Sequence, residues 1–195
     1  MVPLPGESHM PGAIVDRGDR VTLRTLERED LDVLQRGAAD PRIRYLSGNS
    51  KVRNREDLEE VFADEHTTAF LVCLDDPGTP GPVDPDEVRR VGLVNVREWG
   101  RNPRLGIWIA PEVQGEGYGT EAGSLLVQYV FDAYDTHKVT AKAFDYNEAS
   151  RALLESLGFQ REGRLREDAF IEGARRDGLM YGLLREEWNH VDRPT

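Results

Sequence analysis

The chain has 195 residues, 38% hydrophobic and 31% charged, with 36 acidic against 25 basic side chains and a formal net charge of −11. That length suits one domain with a sizeable core, and the acidity argues against general nucleic-acid binding, which rests on neutralising phosphates with lysine and arginine. No apolar run approaches the roughly 18 residues of a membrane helix, residues 1–10 lack the regions of a signal peptide, and Cys73 is the single cysteine, so no intrachain disulfide can form. The expectation is a cytoplasmic protein with no membrane contact, cationic partners and no metal site, since no Cys/His spacing suggests one.

Residues 1–18 are rich in proline and glycine and are expected to form a flexible leading segment, with a single domain over 19–190. Alternation predicts a strand at 21–26, and Leu31 and Leu34 carry a helix over 27–38. Asn54 can cap a short helix whose Leu58, Val61 and Phe62 share a face. A strand follows at 68–74, then an acidic loop with four prolines at 75–87. Strands at 88–99, bulged near Gly92, and 104–110 make a central hairpin that Pro111 must end, because proline cannot donate to a ladder. The helix at 118–136 buries Ala122, Leu125, Leu126, Tyr129 and Val130. A strand at 138–144 leads to Asn147, a good N-cap for a helix stopped by Gly158, and strands at 159–165 and 179–184 close the chain. These elements predict a mixed α/β sheet with helices on both faces.

The most informative stretch is 105–122, where an apolar strand passes through Gln114-Gly115-Glu116-Gly117-Tyr118-Gly119-Thr120 into an apolar helix. Glycines allow positive φ and close backbone approach, and the first helical turn offers unpaired N–H groups at the positive end of its dipole, so the turn predicts a cradle for a phosphate or diphosphate. A dinucleotide fingerprint needs G-x-G-x-x-G early in a βαβ unit, but these glycines lie past the middle of the chain. A triphosphate loop needs G-K-[ST], and no lysine lies between Lys51 and Lys138.

Gln114-x-x-Gly117-x-Gly119 resembles the diphosphate-binding signature of the GNAT superfamily of acyl-CoA-dependent N-acetyltransferases. Asn147-x-x-Ser150 followed by Leu157-Gly158-Phe159 is similar to a second element of that family, and Arg176-Asp177 ahead of the last strand also fits. From about residue 21 to 188 the order of elements resembles the branch of ribosomal-protein alanine N-terminal acetyltransferases. The resemblance implies a sheet of about six to seven strands splayed at its centre, with acetyl-CoA as co-substrate in the splay.

It also implies site residues. The pantetheine arm would run along Ile107, Trp108 and Ile109; Gln114, Gly115, Glu116, Gly117, Tyr118, Gly119 and Thr120 would hold the diphosphate; Asn147 and Ser150 would flank the thioester. Glu116 stands where the family often has a basic residue. Leu154 occupies the place of a tyrosine that protonates the departing thiolate in many members, which leaves Ser150 as the candidate acid. Arg104 replaces a glutamate of some relatives, which leaves Glu98 on the neighbouring strand as the candidate base. An α-amine of pKa about 7.7–8.0 is partly neutral at pH 7, whereas a lysine near 10.4 is not. A site without a strong base therefore suits a protein or peptide N-terminus as the amine acceptor, with a polyamine, aminoglycoside or other small amine as the alternative. A homodimer is compatible with this reading, and so is a CoA-binding sensor that keeps the cradle without turnover.

Overall fold

A computed structural model describes residues 12–48, 51–74, 88–99 and 102–188. The strands are β1 (Ile14–Arg17), β2 (Thr22–Thr25), β3 (Thr67–Leu74), β4 (Arg89–Trp99), β5 (Asn102–Ile109), β6 (Lys138–Phe144), β7 (Gln160–Ile171) and β8 (Ala174–Leu184). The helices are α1 (Leu31–Ala39), α2 (Pro41–Arg44), α3 (Arg55–Glu59), α4 (Tyr118–Ala133) and α5 (Glu148–Ser156). All eight strands join one sheet in the order β1-β2-β3-β4-β5-β6-β8-β7, antiparallel except between β5 and β6. The expected loop at 75–87 and the first eleven residues of the expected leading segment lie outside the described residues.

Side-chain alternation sorts the two faces. Val94 and Val96 on β4, Leu105 and Ile109 on β5, Val139, Ala141 and Ala143 on β6 and Leu179, Tyr181 and Leu183 on β8 meet Ala122, Leu126, Val127 and Val130 of α4 and Leu154 of α5. Each fully buried leucine or valine there contributes roughly 1.5–3 kcal/mol. On the opposite face Leu71, Cys73 and Leu93 pack under Leu31, Val33 and Leu34 of α1 and Leu58 of α3. Helices therefore cover one face from β2 to β8, whereas α1 and α3 cover the other over β3, β4 and Trp108 of β5. Lys138, Thr140 and Lys142 lie on that second, less covered face of β6.

The strands differ from the sequence reading in two ways, one more strand and a longer closing hairpin. β1 arises within the proline- and glycine-rich leading segment and pairs with β2 through an irregular register at Ile14/Asp16, which obscures alternation. β7 and β8 reach to a tight turn at Glu172 and Gly173, both at positive φ (49° and 78°). Charged residues along 160–170 and register shifts at Arg161/Gly163 and Leu165/Ala169 hide their strand character.

Candidate active site

β5 and β6 pair only at Arg104–Thr140 and Leu105–Ala141. Beyond those pairs β5 runs on to Ile109 and β6 to Phe144 without meeting, so the sheet opens into a cleft. The Ala110 N–H donates to the Val91 carbonyl at 2.7 Å. Antiparallel alternation then turns the backbone groups of Gly106 and Trp108 toward β4 and those of Ile107 and Ile109 into the cleft. Trp108 thus offers no backbone group to the cleft, contrary to the sequence reading; its indole packs on Gly37 of α1, where an added Cβ would lie 2.6 Å away. The Ile109 carbonyl already accepts from the Gln114 side-chain amide at 2.8 Å. Ile107 keeps both its N–H and its carbonyl on the cleft side.

At the mouth of the cleft the chain turns through Gly115 (φ 84°) and Gly117 (φ 86°) into α4. Gly117 is the N-cap and has no side chain to occupy the first turn. The amides of Gly115, Glu116, Gly117, Tyr118 and Gly119 meet no acceptor among the described residues, while Thr120 donates to the Gly117 carbonyl at 3.1 Å and Gln114 makes a long bond to Pro111. The open cradle is therefore 115–119, narrower than 114–120: Gln114 and Thr120 serve the turn itself. The glycines also differ in purpose. A Cβ at Gly115 would meet nothing within 4 Å, whereas one at Gly119 would lie 2.9 Å from Leu153 of α5, so Gly119 is small in order to admit α5.

Residues 20–160 match the family described as Acetyltransferase (GNAT) domain. The chain belongs to the GNAT acetyltransferase family. It is 30% identical over 112 residues to the [ribosomal protein uS5]-alanine N-acetyltransferase of Escherichia coli (strain K12), an alignment that covers 55% of this chain and 58% of that enzyme. It is 27% identical over 172 residues to the spermidine N(1)-acetyltransferase of the same strain, covering 86% of this chain and 88% of that one. The crystal structure of a Vibrio cholerae spermidine N-acetyltransferase in complex with CoA and spermine superposes with a TM-score of 0.77 at 26% identity, covering 88% of this chain and 99% of that one. The protein is accordingly an acetyl-CoA-dependent N-acetyltransferase, and the open amides at 115–119 suit a diphosphate.

Other expected residues of this acetyltransferase are placed unevenly. Asn147 is buried and N-caps α5: its Oδ1 accepts the Ser150 N–H at 3.1 Å and its Nδ2 donates to the Leu46 carbonyl at 3.2 Å. Ser150, half-buried, stands in the first turn of α5 at the open end of the cleft. Glu98 is not brought there. It is exposed, pairs with Pro103 at the closed end, and donates its N–H to the His66 carbonyl. Counting strand residues from Pro103 to Phe144 puts it about 17 Å along the sheet from the strand end that leads into α5, so Glu98 and Ser150 stand at opposite ends of the cleft.

Several residues at the cleft were not singled out from the sequence. Asn95 lies opposite Gly106, and a Cβ on that glycine would meet Asn95 Oδ1 at 2.4 Å. The segment after α2 fastens onto the end of β6: Gly48 presses on the Phe144 ring, and the Tyr146 hydroxyl donates to the Tyr45 carbonyl. Burial pushes the Tyr146 phenol up, against the Arg176 guanidinium 5.0 Å above its ring, and the carboxylates of Glu172 and Asp145 push it further the same way. Arg20 reaches the cradle from the β1–β2 turn, with Nη1 donating to the Glu116 carbonyl at 2.9 Å. No local sequence signal marks these contacts, since 96 positions separate Arg20 from Glu116 and 101 separate Tyr45 from Tyr146.

Among the described residues no group of three or more His, Cys, Asp or Glu side chains is arranged to hold a metal ion, and no helix is long and apolar enough to cross a membrane.

Proposed function

We propose that this enzyme acetylates the N-terminal α-amine of a protein or peptide. The acetyl donor supplies an activated thioester; the chain supplies position. The amides of 115–119 hold the diphosphate, the cleft-facing backbone of Ile107 and the N–H of Ile109 align the pantetheine arm, and the Ile107 N–H is placed to stabilise the oxyanion formed as the amine attacks. Ser150 stands at the same end of the cleft as a proton donor to the thiolate. Because α4 and α5 fill one face of the sheet, the acceptor enters from the other, between the segment after α2 and the β7–β8 hairpin.

The charge on that second face is the observation that favours an α-amine over a polyamine. A polyamine carries several cations and needs carboxylates left open to receive them. Here Glu162 is held by Lys138 at 2.6 Å and Asp168 by Lys142 at 2.8 Å, while Glu172 and Asp145, beside Tyr146, are in no ion pair among the described residues. Arg176 and Arg44, stacked on Tyr146 and Tyr45, add further positive charge. The spermidine acetyltransferase relatives keep the polyamine reading as the alternative. A thiol-release assay with acetyl-CoA and a panel of peptides with free N-termini, spermidine and spermine separates the two. The α-amine reading expects peptides to exceed polyamines in kcat/KM by at least about tenfold, with a rate that rises with pH through the amine pKa of about 8. Preference for spermidine would overturn it.

A further inference from the structure

We infer that Arg20 is the positioning residue of the cradle, holding the 116–117 peptide so that the Gly117 N–H faces the donor's diphosphate; this rests on the reading of residues 115–119 given above. The carbonyl of one residue and the N–H of the next point in opposite directions across a trans peptide. With the Glu116 carbonyl fixed on Arg20 Nη1 at 2.9 Å, the Gly117 N–H is fixed away from Arg20, on the side where no protein acceptor stands. Gly117 has no Cβ to hold this plane by itself, and a glycine turn left alone samples both signs of φ.

The arginine is itself held from three sides. Its guanidinium lies 5.0 Å from the Tyr118 ring centroid, its Nε is 3.3 Å from Glu121 Oε2, and Glu121 Oε1 accepts the N–H groups of Arg20 at 2.7 Å and Val21 at 2.9 Å. Glu121, in the first turn of α4, thereby staples the β1–β2 turn beside the cradle. Charge points the same way. No lysine or arginine occurs between Arg104 and Lys138, while Glu112, Glu116 and Glu121 all lie around the turn. Glu112 is countered by Arg42 at 3.0 Å and Glu121 by Arg20, which lowers the repulsion that an arriving diphosphate would meet.

The test is Arg20→Gln, which leaves the backbone bonds to Glu121 in place. Donor kcat/KM is compared for acetyl-CoA, acetyl-dephospho-CoA and S-acetylpantetheine with one acceptor. The expected result is a loss of about tenfold for the first two, the scale of one charge-assisted hydrogen bond, carried by KM, with S-acetylpantetheine unchanged. Equal loss for all three donors would make Arg20 a general structural residue; loss for acetyl-CoA alone would assign it to the 3′-phosphate; no loss would leave it without a role. Each of these overturns the inference. If instead the unaltered enzyme used S-acetylpantetheine as well as acetyl-CoA, the cradle reading itself would fail, a result distinguishable from failure of Arg20.

Discussion

Two strand-to-helix junctions border the cleft, and they treat their first-turn amides in opposite ways. At the β6–α5 junction Asn147 caps the helix with its own side chain and ties down the Leu46 carbonyl, so the junction is closed by the protein. At the β5–α4 junction the N-cap is Gly117, which has nothing to offer, and five amides in succession stay open. The physical need is the same in both places, because every helix begins with unsatisfied N–H groups. Which residue stands at the N-cap decides whether the fold or a ligand meets that need.

That contrast can be broken first at the open junction. Gly117→Val places a branched side chain at φ 86° and 3.0 Å from Arg20 Nη2, so it should turn the 116–117 peptide and abolish detectable CoA binding by calorimetry. The loss expected is on the order of a hundredfold or more, from misaligned amides and a backbone conformation costing about 1–3 kcal/mol for such a residue. Undiminished affinity would remove residues 115–119 from the donor site.

At the closed junction the expected effect is on stability before activity. Asn147→Ala removes the α5 cap and the bond to Leu46, and should lower unfolding free energy by about 1–2 kcal/mol in a denaturant titration. CoA affinity should fall less than for Gly117→Val, because the cradle amides are untouched. A variant as stable as the parent but unable to bind CoA would reverse the assignment and make Asn147 a ligand residue rather than a cap. The smallest effect belongs to Ser150→Ala. Turnover should slow by up to about tenfold, short of the full factor of about 10²–10⁴ attributed to general acids, since water can also protonate a thiolate, and CoA affinity should stay constant; unchanged turnover would dismiss Ser150 as the acid.

The sequence discloses the open junction better than the rest of the site. Glycines at 115, 117 and 119 between an apolar strand and an apolar helix are a local pattern, and local patterns follow from backbone sterics alone. The Asn147 cap is legible for the same reason. What depends on residues distant in sequence is not: Arg20 gives no sign of lying beside Glu116, and Glu98 looks close to the cleft until the register with Pro103 places it at the closed end. Strand membership does not say which neighbour the Trp108 backbone faces; that is set by the Ala110–Val91 bond. In β7 and β8 solvent-facing charges and register shifts blur the alternation on which strand recognition relies, so the pattern shows only up to Leu165 and from Leu179.

The central claim, that the amides of 115–119 are left open for the donor's diphosphate, is tested most directly by following backbone amide resonances in an isotope-labelled sample as CoA is added. The account predicts large, saturable shifts at Gly115, Glu116, Gly117, Tyr118 and Gly119, as bonds to phosphate form, and a far smaller change at Ser150, whose amide is already held by Asn147. Saturable CoA binding with those five resonances unmoved would contradict it.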